Sequence, residues 1–141
     1  MSPAITNLIP AKTHRITLYV NTKYLKNKRD ANKYAYANFG QDPRISNKDY
    51  TVLVNLNDDI EWVGVSSSDP DTDQVYITKI KYENKEKLLN CDDIDGEIVV
   101  KAKVTKGKGG DEEKYTLHFK IVSPANPQNG SFNIDPILRI N

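Results

Sequence analysis

The amino-acid sequence predicts an all-β, single-domain protein: an antiparallel β-sandwich of seven to eight strands, Ig-like or jelly-roll-like, with an extended N-terminal arm. Apolar and polar residues alternate with a period of two in several short runs, which is typical of strands with one buried face. Turn-forming Gly, Pro, Asn and Asp residues separate these runs roughly every 8–12 residues, as in sandwiches. A chain of 141 residues is long enough to bury one sizeable core.

The central prediction concerns residues 58–82, which contain the only tryptophan, Trp62. An alternating run at 60–65 and a second at 75–82 are separated by the polar segment 66–73. The proline and three aspartates of that segment cannot continue a strand ladder. We therefore expect two neighbouring antiparallel strands joined by an acidic loop, with Trp62 as the anchor of the core.

Other alternating runs predict the remaining strands. They lie at 15–21, 50–56, 97–105, 115–122 and 132–140. In the run 50–56 we expect Val52, Val54 and Leu56 on one face. The charged, glycine-rich segment 106–114 is interpreted as a hairpin loop. Pro136 should place the last strand at an edge or a bulge, because proline has no N–H to donate.

The N-terminal part of the chain is less regular. Residues 1–14 read as an extended arm that precedes the domain at 15–141, and its Ile5, Leu8 and Ile9 can dock on another surface. Residues 22–38 are polar and rich in lysine. Within them Tyr34 and Tyr36 alternate with alanines, like an edge strand, and an exposed pair of this kind would suit a carbohydrate platform or a contact between copies.

The charge distribution limits the class of partner. The net charge of +1 argues against nucleic acid, which calls for a basic face. Residues 1–50 carry nine Lys/Arg against three Asp, giving +6, whereas 51–100 carry four Lys against twelve acidic residues, giving −8. Opposed charges of this size can bring copies together. The alternative is that they are ordinary solvated strand faces, which is the commoner arrangement.

Cysteine usage and hydropathy favour a cytoplasmic protein. Cys91 is the only cysteine, so no internal disulfide can form, whereas small secreted domains usually contain several. The N-terminal residues lack the pattern of a signal peptide. No window approaches the ~18 apolar residues of a membrane span, so no membrane partner is expected.

Four stretches of the sequence resemble one known family. IEWVGVSSS (60–68) is followed by an Asp-rich loop and VYITKI (75–80), RITLYVNTKYL (15–25) forms the opening strand, and the chain finishes with the Asp-Pro strand IDPILRI (134–140). Together they are similar to the AidA/PixA inclusion body protein family. The resemblance implies a non-enzymatic β-sandwich, found in bacteria as an abundant cytoplasmic protein or in intracellular inclusions, and it transfers no catalytic residue.

Two acidic clusters have some of the residues that a metal site needs. Asp69, Asp71 and Asp73 have the alternate spacing of a calcium loop, but the sixth position is Gln74 and the twelfth is Ile80, which excludes an EF-hand. A looser calcium site remains open, with a solvated turn as the favoured alternative. The second cluster, at 92–97, also lacks the distal glutamate and is interpreted in the same way.

The histidines and the cysteine predict no copper site and no nucleophile. His14, His118 and Cys91 fall in separate segments, whereas a cupredoxin-like centre needs two His and a Cys to converge. His118 alternates with apolar neighbours and is expected on the solvent face of its strand. Cys91 is expected to be a small buried residue.

The sequence therefore predicts a non-enzymatic, self-assembling structural protein that needs no cofactor, with itself as partner. The alternative is a β-sandwich module that binds carbohydrate or calcium.

Overall fold

The computed structural model describes residues 10–82, 89, 99–124 and 131–141. Nine β-strands lie in these ranges, joined by turns and one short 3-10 turn at Lys28–Asp30. They are β1 (Thr13–Val20), β2 (Ala37–Asn38), β3 (Thr51–Val54), β4 (Asp59–Ser66), β5 (Gln74–Tyr82), β6 (Val99–Lys103), β7 (Glu112–Val122), β8 (Ser131–Ile134) and β9 (Ile137–Ile140).

The strands form two sheets that pack face to face, so the predicted all-β sandwich is confirmed. The first sheet has the order β2-β1-β4-β6, and the second has the order β3-β9-β7-β5, with β8 also paired to β7. The expectation of purely antiparallel pairing is wrong, because β1 runs parallel to β4 and β3 runs parallel to β9. Consecutive strands often cross to the other sheet, so neighbours within a sheet come from distant parts of the chain and can run in the same direction.

The prediction that the runs 60–65 and 75–82 pair as a hairpin is wrong, because the chain crosses from one sheet to the other between them. β4 belongs to the first sheet and β5 to the second. They face each other across the core, where a Cβ placed on Gly64 would lie 2.6 Å from Cγ1 of Val75. The hairpin expected around 106–114 fails for the same reason, because β6 and β7 lie in different sheets.

The alternating faces predicted for the core are largely confirmed. Trp62 is fully buried, with Val100 of β6 beside it in register and Tyr115 of β7 against its ring. Alternate residues of the runs 97–105 and 115–122 are buried as expected: Val100, Ala102, Val104, Tyr115, Leu117, Phe119 and Ile121. Leu56 is an exception and is 47% exposed, because β3 ends at Val54 and the chain turns away.

The C-terminal strand is divided in two. β8 pairs with β7 at 117–120 and β9 pairs with it at 112–114, so the two short strands follow one another along the same long neighbour. Pro136 lies between them, and its carbonyl accepts a hydrogen bond from the N–H of Tyr115 at 3.2 Å. The missing N–H of proline therefore falls in the break, outside any ladder.

Some sequence predictions lie outside the described residues. They include the acidic cluster at 92–97. Leu89 is buried and forms an isolated bridge with Val104. Across the described ranges, no helix has both the length and the apolar character needed to cross a membrane.

Candidate assembly interface

A buried carboxylate joins the end of β3 to the start of β1. Asp58 lies in the turn between β3 and β4 and is 1% exposed. Its Oδ1 accepts a hydrogen bond from the N–H of Lys12 at 3.0 Å, and its Oδ2 accepts one from the N–H of Asn55 at 2.9 Å. Nε2 of His14 lies 2.7 Å from Oδ2. One side chain thus fixes the turn after β3 to the start of β1, which lies more than forty positions away in sequence.

The electrostatics of this junction favour the ionised carboxylate. Burial raises the pKa of Asp58, but the hydrogen bonds from His14, Asn55 and Lys12 outweigh that effect. The pKa of Asp58 therefore lies below its ordinary value of 3.8.

The main chain of the turn is also held on both sides. Asn57 has a positive φ of 75°, a conformation that asparagine tolerates better than most residues. Its N–H donates to the carbonyl of Val104 at 2.8 Å, and the N–H of Val104 donates to the carbonyl of Asp58 at 2.9 Å. The turn is therefore tied to the end of β6 as well as to β1.

The described residues of the N-terminal arm lie at this junction. The carbonyl of Lys12 accepts a hydrogen bond from the N–H of Asp59 at 2.9 Å, which brings the chain into β1. Pro10, Ala11 and Lys12 are all exposed. Ile5, Leu8 and Ile9, the residues expected to mediate assembly, lie outside the described residues.

Close by, β3 forms one edge of the second sheet. The carbonyls of Tyr50 and Val54 accept hydrogen bonds from Ile137 and Asn141 at 2.9 and 2.8 Å, so these positions face β9. Main-chain groups alternate in direction along a strand, and those of Thr51 and Leu53 consequently point away from β9. In the described part of the chain, no strand lies on that side.

Two apolar side chains at this edge are exposed. Leu53 is 54% exposed, and Leu56, just beyond the strand, is 47% exposed. The segment 51–56, TVLVNL, carries no charge and no proline. Native proteins usually protect a free edge with lysine, proline or a bulge. A short edge strand is another such protection, and this edge is short because the N–H of Asn55 already donates to Oδ2 of Asp58.

The predicted aromatic pair does not form an exposed platform. Tyr34 and Tyr36 are both half-buried, in a turn before β2 rather than in a strand. The Tyr34 hydroxyl donates to the carbonyl of Gln41 at 2.9 Å, and Tyr36 packs against the core. The more exposed tyrosine is Tyr24, at 59%, beyond the end of β1.

The acidic loop at 66–73 is held by polar contacts of its own. Oδ2 of Asp73 accepts a hydrogen bond from the buried Thr22 hydroxyl at 2.6 Å. The carbonyl of Asp69 accepts hydrogen bonds from the N–H groups of Thr72 and Asp73. Asp71 is exposed. Within the ranges that the structure covers, no three His, Cys, Asp or Glu residues converge as a metal site would require.

The two histidines lie in different sheets. His14 is on β1 beside Asp58, whereas His118 is half-buried on β7, in register with Asn133 of β8. Cys91 lies outside the described residues. The structure therefore does not bring the two histidines together.

Local sequence patterns gave no sign that several polar residues are buried, among them Asp58 and Asn47. Asp58 read only as a turn residue, because its partners Lys12 and His14 are more than forty positions away. Asn47 is fully buried; its Nδ2 donates to the carbonyls of Asn32 and Ala37, and its Oδ1 accepts from Gln41. Its position in a turn-rich segment gave no sign of burial.

The architecture defines a class of protein: a sandwich of two mixed β-sheets. Its fold is similar to the crystal structure of the inclusion body protein PixA from Burkholderia cenocepacia, with a TM-score of 0.64 over 94% of this chain and 98% of that chain. The sequences are 12% identical. The resemblance read from the four sequence stretches is thus confirmed at the level of the fold. No family model matches the sequence. No curated protein matches it either.

Proposed function

We propose that this protein is a non-enzymatic structural protein that assembles with copies of itself in the cytoplasm, in the manner of an inclusion-body or lattice-forming β-sandwich. The observation that carries the proposal is the free edge of β3, uncharged along 51–56 and exposing Leu53 and Leu56. A strand edge with apolar side chains is a template for pairing with another chain. The similar fold belongs to a protein described as an inclusion body protein, which agrees with this role.

The buried polar side chains support a structural role over a catalytic one. Asp58 and Asn47 both use their side chains to hold main-chain groups of distant segments. Side chains bound in this way stabilise the fold.

The proposal is tested by measuring molar mass with light scattering on a sizing column at increasing protein concentration. The monomer mass is 16.0 kDa, and we expect the measured mass to rise to a multiple of it. A mass that stays at the monomer value up to the highest soluble concentration would contradict self-assembly.

A ligand-binding module is the second candidate, and one surface cleft favours it. The cleft has a volume of about 380 Å³ and lies beside the acidic loop, lined by Thr22, Lys23, Lys26, Thr72 and Asp73 among others. Hydroxyl, ammonium and carboxylate groups together suit a small polar ligand such as a sugar. A thermal-shift screen with sugars and calcium tests this function, since a ligand that binds the folded state raises the melting temperature.

A further inference from the structure

We infer that the free edge of β3 accepts residues 1–9 of a second copy of the chain, which add to it as an extra strand. The inference rests on the proposed function and names the surface and the segment that would mediate it. Four observations carry it: the main-chain groups that face no strand among the described residues, the exposed leucines, the composition of the arm and the position of its described end at Lys12.

The edge offers both polar and apolar contacts. The N–H and C=O groups of Thr51 and Leu53 point away from β9, as the hydrogen bonds of Tyr50 and Val54 to the other side require. In strand addition, such main-chain groups provide affinity and alternate side chains provide specificity. The exposed side chains of Leu53 and Leu56 supply apolar surface at the same place.

The arm has the composition and length that this edge requires. Residues 1–9, MSPAITNLI, contain no charged side chain, so pairing would bury none, and they include Ile5, Leu8 and Ile9. An extended chain covers roughly 3.3 Å per residue, so nine residues reach about 30 Å. The four residues of β3 occupy less than half of that length.

The position of the arm favours a second copy as the acceptor. At Lys12 the chain is already bound to Asp58 and Asp59, at the start of β1 in the first sheet, whereas β3 is an edge of the second sheet. To cover its own β3, the arm would have to turn from the first sheet toward the second before Lys12. Pro10 and Ala11, the two described residues that precede Lys12, are exposed. Two copies related by a two-fold axis can exchange arms, so that each edge is covered once.

The test uses two changes and one matched control. Leu53→Lys places a charge on the edge, and a second variant lacks residues 2–9. Tyr24→Lys is the control, because it also replaces an exposed, uncharged side chain with a lysine. Tyr24 follows the C-terminal end of β1, whereas Asp58 and the end of β3 lie beside the N-terminal end of β1. The eight residues of β1 separate the two sites by roughly 25 Å.

We expect the wild type and Tyr24→Lys to share the same assembled mass, and Leu53→Lys and the truncated protein to be folded monomers by circular dichroism and light scattering. A fluorescent peptide of residues 1–9 should bind the truncated protein and should fail to bind the truncated Leu53→Lys variant. If Leu53→Lys keeps the wild-type mass, the edge is not the acceptor, although self-assembly stands.

The remaining outcomes separate the inference from the proposed function. A wild type that is monomeric at every concentration contradicts self-assembly. If the peptide nevertheless binds the truncated protein, the arm covers the edge of its own chain, and the inference that it binds a second copy is wrong. Should the truncated protein fail to fold, the mass of full-length Leu53→Lys still decides whether the edge is used.

Discussion

The indole Nε1 of Trp62 donates a hydrogen bond to the hydroxyl oxygen of Tyr115 at 3.1 Å, and the two rings meet edge to face with centroids 5.8 Å apart. Trp62 lies on β4 and Tyr115 on β7, so this pair links the two sheets across the core. Both side chains are fully buried, and burial raises the pKa of the Tyr115 hydroxyl. A buried indole N–H needs an acceptor, and here the opposite sheet supplies it.

The first prediction is that truncation of either partner destabilises the protein. Trp62→Ala should lower the free energy of unfolding by about 3–5 kcal/mol, the usual range for a large aromatic side chain. Tyr115→Phe should lower it by about 1–3 kcal/mol, because the buried Nε1 loses its acceptor. Urea unfolding measures both changes. A wild-type fluorescence maximum typical of an indole in water would show that Trp62 is not buried.

The second prediction concerns the contact between β4 and β5. A Cβ at Gly64 would lie 2.6 Å from Cγ1 and 2.8 Å from the carbonyl oxygen of Val75, far inside van der Waals contact. Gly64→Ala should therefore push the sheets apart and lower the free energy of unfolding by about 1–3 kcal/mol, as other overpacked cores do. Thermal unfolding measures the loss.

A control and a partial rescue make this prediction specific. Gly109→Ala should have little effect, because the nearest atom to its Cβ, the carbonyl oxygen of Asn141, lies 3.4 Å away. Val75→Ala should restore part of the stability of Gly64→Ala, since it removes the contact with Cγ1 but leaves the contact with the carbonyl oxygen. A Gly64→Ala variant as stable as the wild type would mean that β4 and β5 do not pack this closely.

The fold class could be read from the sequence because a period of two is a local signal. Alternation places Trp62, Val100 and Tyr115 in the core whichever strands are neighbours. The connections could not be read in the same way. The loop at 66–73 has the composition of a hairpin turn whether its strands pair or cross to opposite sheets, and the space that Gly64 leaves for Val75 is visible only when the sheets are in place.

Only part of the candidate interface could be predicted from the sequence. The apolar composition of 51–56 was evident, but alternation assigned Leu56 to the same face as Val54, and the structure exposes it because the strand has already ended. The role of Asp58 depends on contacts with Lys12 and His14 across more than forty residues. Local sequence patterns carry no information at that separation.

The third prediction is that calcium does not stabilise the acidic loop. Asp73 already accepts a hydrogen bond from Thr22 at 2.6 Å, and the positions occupied by Gln74 and Ile80 lack the Gly and Glu of a calcium loop. Millimolar calcium should leave the melting temperature unchanged, apart from a small screening effect. An increase of many degrees that EDTA reverses would establish a site there.

The last prediction is a loss of stability in acid that depends on Asp58. Its pKa in the folded protein lies below the ordinary value of 3.8, so the ionised carboxylate stabilises the fold. This contribution is fully present above the pKa of the unfolded chain, and it is lost as the pH falls through the lower pKa of the folded state. Urea unfolding as a function of pH should therefore show the wild type losing stability below about pH 4.

Asp58→Asn isolates that contribution. The variant should be less stable than the wild type at neutral pH, because an amide has one acceptor oxygen in place of the two that serve Lys12, Asn55 and His14. The difference should shrink in acid, where the wild-type carboxyl is also neutral. Asp71→Asn, a change at an exposed position of the acidic loop, serves as the control and should follow the wild-type curve. If Asp58→Asn retained the wild-type pH dependence, another carboxyl group would have to govern the acid response.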